Sequence, residues 1–195
     1  MDQEKFTAAI DRFDEANKQD PNIEMYDGKE CPKEWVYSMR MTQWLETLAP
    51  DASEALRLAA RCQHIQRWTI PRSTYPDNRS GYKQWRADLA KFHAETAGKI
   101  LAEVGYDEAT INRVQSLLQK HNLKSDPETQ TLEDVICVVF VENYLRGFAQ
   151  QHEEEKLVTI LRKTWKKMSP HGHEAILGLN LSPEARQLLD KALAE

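Results

Sequence analysis

Between residues 82 and 104 the chain runs without proline, carries polar and apolar residues at helical spacing, and closes on Gly105, a residue suited to the left-handed conformation that ends helices. A helix of that span is roughly 35 Å long, and its apolar stripe must be covered by neighbours of similar length. Helices packed on helices therefore set the fold. The same spacing predicts helices over residues 5–17, 35–48, 52–68, 111–118 and 132–145, then near 153–166, 170–177 and 183–193. Pro50 stops the second of these, Asp51 with Glu54 forms a capping-box pattern for the third, and Ser182 with Pro183 opens the last. The run 132–145 is apolar enough to be a core element. Its β-branched residues make strand a competing reading, but its length and helical neighbours favour helix.

Two segments read as loops: residues 19–30, polar and interrupted by proline, and residues 69–81, with two prolines, two arginines and several turn formers. The expected architecture is all-α, a compact single-domain helical bundle over residues 1–195, made of an N-terminal helix and connection (1–30), a core (31–150) and C-terminal helices (151–195). No stretch approaches the ~18 apolar residues of a membrane span, and the N-terminus is polar and acidic from the start, so a cytoplasmic protein is expected. Cys31, Cys62 and Cys137 are widely spaced and never CxxC, which suggests free thiols in a reducing compartment. The net charge of −5 makes nucleic acid an unlikely partner, although Arg61, Arg67, Arg72, Arg79 and Arg86 interleave with Trp68, Tyr75, Tyr82 and Trp85.

On a helical wheel Tyr82, Arg86, His93 and Ala97 share one face, so a histidine and an arginine point where the apolar residues point. His64 lies one turn from Ala60 and Trp68 and is also directed inward, and Asp134 sits beside Val135 in the most hydrophobic segment. Three potential metal ligands on three core helices make His64, His93 and Asp134 the candidate metal site. Against this, a lone buried histidine is often bonded to a backbone carbonyl, and Thr131 with Asp134 also reads as a capping box. Glu95 is explained by an ion pair with Lys99, His121 by the end of its helix, and the cluster Arg162, Lys163, Lys166 and Lys167 either clamps a phosphate or forms a solvated face. His152, His171 and His173 read as solvent-exposed.

The segments RCQHIQRW, IPRSTYP, GYKQWR, FHAE, TLEDV and KTWKKMSP together resemble an uncharacterised family of bacterial and fungal proteins, some of whose members are labelled glutamyl-tRNA synthetase related. Lys167-Met168-Ser169 is similar to part of a synthetase signature, but the rest of that signature and the alternating strand-helix pattern are missing. The chain also distantly resembles the HD superfamily of metal-dependent phosphohydrolases, with LRLAARCQHI similar to the helix bearing the His-Asp pair. That resemblance implies an HD-like core, metal ligands at His64 and Asp134, and departures where Ile65 replaces the paired aspartate and Tyr37 the early histidine.

The function expected is a metal-dependent phosphohydrolase for a nucleotide or small phosphorylated metabolite. His64, His93 and Asp134 would hold manganese, iron, nickel or zinc, and Arg67, Arg72, Arg86, Tyr75, Lys163 and Lys167 would bind substrate. The alternative is a helical protein that binds an anionic ligand or a partner without metal or turnover. Glu133 and Tyr37 are left without an assigned role.

Overall fold

The structure, a computed structural model, describes residues 2–194. It is all-α apart from one hairpin, with ten α-helices among the described residues. Helix α1 (Gln3–Asn17) is capped by the Asp2 carboxylate, which accepts from the Lys5 amide. Strands β1 (Ile23–Tyr26) and β2 (Lys29–Pro32) then pair antiparallel, Ile23 opposite Pro32 and Tyr26 opposite Lys29. This hairpin corrects the loop expected over 19–30. Its turn residues Asp27 and Gly28 have φ of 48° and 73°, the left-handed pair that a two-residue hairpin turn requires and that an Asp-Gly dipeptide supplies.

Helix α2 (Lys33–Leu48) begins where the Asp20 carboxylate accepts the Glu34 amide, 3.0 Å away. Helix α3 (Glu54–Arg61) is capped by Ser53 rather than Asp51, and it ends at Arg61, short of the expected residue 68. Turns follow over residues 62–66, where Gln66 has a left-handed φ of 50° and its amide donates to Asn17 Oδ1 on α1 at 3.1 Å. A contact from a distant helix thus holds the end of this segment out of a pattern that reads locally as one continuous helix.

Helix α4 (Arg79–Val104) starts at the Asn78 cap, stops at Gly105 with φ 89°, and leads to α5 (Glu108–Leu118). Gly81 packs so tightly on the preceding loop that a Cβ there would meet the Pro76 carbonyl oxygen at 2.1 Å. Helix α6 (Pro127–Val139) has Asp126 as its cap and Pro127 in its first turn, which places Thr131 inside the helix and removes the capping-box reading of Asp134. One π-helical turn (Phe140–Tyr144) carries the chain into α7 (Leu145–Ala149). Helices α8 (Glu154–Trp165), α9 (Pro170–Gly178) and α10 (Pro183–Leu193) follow close to their expected bounds.

The apolar residues gather in two clusters that meet at α6. Phe13, Met41, Leu58, Ile65, Leu101 and Leu117 fill the first together with Leu132, Val135 and Val139 of α6; Leu145, Leu161, Ile176 and Leu189 fill the second together with Cys137 and Val138. Facing both clusters explains why the second half of α6, Val135 to Val139, is apolar all round. Helix α4 packs on α1 and α5, and α5 on α3, which encloses the segment after α3 between α4 and the end of α5. Among the described residues no helix is long and apolar enough to cross a membrane.

Candidate functional site

A cavity of about 240 Å3 opens where these three elements meet, lined by Gln63, His64 and Arg67 after α3, Arg86, Leu89 and His93 on α4, and Leu118 and Lys120 at the end of α5. Residues 86, 89 and 93 are spaced i, i+3, i+7, so α4 presents an arginine, a leucine and a histidine along one stripe. Lys120 in the cavity wall and Gln66, the residue before Arg67, have left-handed φ of 56° and 50°. That conformation costs roughly 1–2 kcal/mol for an L-residue, and such strain gathers at functional sites. The turn at Gln66 brings Arg67 over the Trp85 ring, 4.7 Å from its centroid. A somewhat larger groove of about 310 Å3 runs over Leu145, Ala149, Ala185 and Leu188, but no histidine and no unpaired buried polar atom lines it.

His64 and His93 face this cavity with ring centroids 5.9 Å apart. His64 stacks on Tyr37 at 4.0 Å, and its Nδ1 lies 3.3 Å from Glu34 Oε2. His93 Nδ1 lies 2.8 Å from the Ile65 carbonyl oxygen. A carbonyl only accepts, so Nδ1 carries the proton and Nε2 of the neutral ring is a bare acceptor. That Nε2 is buried without a partner, as is Gln63 Oε1. The Arg67 and Arg86 guanidiniums make no hydrogen bond or ion pair among the described residues, and both are only partly exposed. Lys120 completes the cationic wall, its ammonium bonded to the buried Glu133.

Burial and the arginines set the protonation states. Burial first, then Arg67 and Arg86, push His93 down to about 3, and burial with Arg67 pushes His64 well below the usual imidazole range. Burial raises Glu34 to about 7 against the pull of Arg67. Between pH 5 and 6.5 the Glu34–His64 pair therefore holds one proton when folded, on the carboxyl, and one when unfolded, on the imidazole, so the pair contributes little to the pH dependence. His93 is different: the unfolded chain takes up a proton below about 6.5 that the folded chain refuses down to about 3. Stability is therefore expected to fall as pH drops, by about 2 kcal/mol between pH 6.5 and 5. Urea titrations at those two pH values measure it, and His93→Phe should flatten the difference. An equally steep loss in that variant would place the acid sensitivity elsewhere.

The other expected site residues are dispersed. The Asp134 carboxylate accepts from the Ser169 amide at 2.9 Å, the Ser169 hydroxyl at 2.5 Å and Gln130 Nε2 at 3.0 Å, so it tethers α6 to the start of α9 and lines no part of the cavity. Among the described residues no group of three His, Cys, Asp or Glu side chains converges in a way that could hold a metal ion, so the expected set of His64, His93 and Asp134 is not assembled. Arg72 binds the Tyr75 and Pro76 carbonyls of its own loop, both at 2.9 Å, and the Tyr75 hydroxyl donates to Asp88, also at 2.9 Å. Lys163 is exposed, and Lys167 meets Glu133 at 3.3 Å. Glu95 meets Lys91 rather than Lys99, and His121 is exposed at the end of α5. Of the three histidines expected in solvent His171 is exposed, whereas His152 and His173 are half-buried, His152 edge-on to Phe148 at 4.2 Å and His173 stacked on Trp165 at 3.7 Å.

The model of the family described as a domain of unknown function, DUF4202, matches residues 7–189. The chain belongs to that family. No curated protein and no solved structure matches it. The DUF4202 match accords with the resemblance to an uncharacterised family and does not reach the HD superfamily. At the positions where that resemblance marked departures, this DUF4202 chain uses the Ile65 carbonyl to fix His93 and the Tyr37 ring to support His64. Glu34, Gln63 and Lys120 are site residues that sequence reasoning missed. Glu34 lies just outside the expected helix 35–48, Gln63 lies within the expected helix 52–68 but lacks the ligand chemistry of its neighbour His64, and Lys120 follows α5 at a turn that only the backbone geometry reveals.

Proposed function

We propose that the cavity binds a small phosphorylated molecule, its phosphate held by Arg67 and Arg86 with Lys120 beside them. The observation that carries this reading is the pair of guanidiniums without a hydrogen-bonded or ion-paired carboxylate in the wall of a partly desolvated cavity. A planar guanidinium forms forked hydrogen bonds to phosphate oxygens, and a phosphate would relieve the mutual repulsion of the two cations. Three free thiols, two of them buried, go with a reducing, cytoplasmic setting. The test is calorimetric titration with inorganic phosphate and simple phosphate monoesters. Arg67→Ala and Arg86→Ala should each weaken binding about tenfold or more, whereas Arg72→Ala and Lys163→Ala should leave it unchanged. The opposite pattern would move the site to the 69–81 loop or to α8.

A second reading, metal-dependent phosphohydrolysis, is favoured by one feature: both imidazoles are fixed through Nδ1, the way ligating histidines are commonly oriented. Manganese, iron, nickel or zinc would then sit on the Nε2 atoms. The fit is incomplete, because Asp134 is engaged elsewhere and Arg67, Arg86 and Lys120 repel a further cation. Metal content of protein purified without chelator decides between the two. Near-stoichiometric metal that is lost in His64→Ala and His93→Ala supports the hydrolase, and phosphate binding by metal-free protein supports the binding module.

A further inference from the structure

We infer that the ligand is a polyhydroxylated phosphate ester, a sugar phosphate or phosphorylated polyol, whose hydroxyl groups donate to His93 Nε2 and Gln63 Oε1. The inference rests on the phosphate reading above and adds the chemistry of the rest of the ligand. Two kinds of unmet demand line the same cavity. Arg67 and Arg86 have no hydrogen-bonded anion, and two side chains only 3% and 5% exposed, His93 and Gln63, each hold an acceptor with no donor. A buried acceptor left without a donor costs about 1–3 kcal/mol, so a ligand that supplies O–H groups gains what the empty site lacks.

The tautomer makes the direction of the bond definite. The Ile65 carbonyl takes the Nδ1 proton of His93, which leaves Nε2 able only to accept. A second phosphate oxygen, itself an acceptor, would be repelled there, and a metal ion would face three cations. An ammonium group finds no free carboxylate, since Glu34 is paired with His64 and Glu133 already holds Lys120 and Lys167. Size narrows the class further: about 240 Å3 lies below the usual range of pockets for drug-sized ligands, so a compact ester suits it better than a nucleotide. Leu89 and Leu118 supply the small apolar wall that a sugar ring packs against.

The test compares a hexose 6-phosphate with cyclohexylmethyl phosphate, a monoester of similar size and charge without hydroxyls, by calorimetry on the full chain, with inorganic phosphate and adenosine monophosphate as further arms. The hexose ester should bind at least tenfold tighter than the cyclohexyl ester, and this ratio should fall towards one in His93→Phe and in Gln63→Met. The second variant keeps the test usable if the first does not fold, because Gln63 makes no hydrogen bond through Oε1 that a methionine would lose. Equal affinity for the two esters overturns the inference and leaves the phosphate site standing. Preference for adenosine monophosphate, or tight manganese or zinc binding abolished by His93→Phe, overturns it in favour of a larger ligand or a metal. Failure of every phosphate compound, inorganic phosphate included, overturns both readings together.

Discussion

Glu133→Ala should lower the free energy of unfolding by about 3–5 kcal/mol, the loss expected when one partner of a buried ion pair is removed and the other is left behind. Glu133 is 2% exposed and bonded to Lys120, with Lys167 at 3.3 Å from its other oxygen. Burial alone would raise its pKa, but Lys120 and Lys167 outweigh burial and hold it below the usual carboxylate range. Glu133 thus contributes stability that is present above the unfolded carboxyl's titration and is lost as pH falls through the lower folded value. Burial also holds Lys120 below the ordinary lysine value, with Arg86 adding repulsion and Glu133 opposing it. Without Glu133 the ammonium has no compensating charge. The double variant Glu133→Leu with Lys120→Met, which leaves no orphaned charge, should recover more than half of the loss in urea titrations while weakening phosphate binding. A single variant less than 1 kcal/mol below wild type would show that Lys120 finds water when Glu133 is gone.

The helices were legible because periodicity, prolines and caps are local signals. Asn78, Asp107 and Ser182 cap helices near where the pattern placed their starts, and Gly105 ends α4 where expected. The failures have a common physical form: a distant partner decided the outcome. Asn17 captures the Gln66 amide beyond the early end of α3, and no pattern within residues 52–68 records the presence of α1. The site follows the same division. Inward-facing His64, His93 and Arg86 could be read from their helical faces, Arg67 was a candidate by its nearness in sequence, and all four line one cavity. Asp134 faces inward just as clearly, but periodicity states which face is buried and not which neighbour buries it. Its neighbour is Ser169. Arg72 looked available because its loop is polar, yet the two carbonyls of that same loop consume its guanidinium.

The distinction between a ligand and a tether becomes measurable at Asp134. It is 4% exposed and accepts three hydrogen bonds, two of them from Ser169 at the cap of α9. Gly172, in the first turn of α9, packs so close that a Cβ there would lie 2.7 Å from the carboxylate, so position 172 has no room for a side chain beside Asp134. Asp134→Ala removes the acceptor and leaves the Ser169 amide and hydroxyl facing an apolar neighbour. A charged acceptor contributes about 1.5–3 kcal/mol per hydrogen bond, and partial hydration of the vacated space offsets some of the loss, so about 3 kcal/mol of destabilisation is expected. Asp134→Asn, which keeps the shape and one acceptor oxygen, should lose less. In both variants the protein that remains folded should bind inorganic phosphate as the wild type does, because Asp134 lines no part of the cavity. If instead the unfolding midpoint holds while phosphate or metal binding disappears, Asp134 acts at the site as the sequence alone suggested, and α9 must be able to release it to do so.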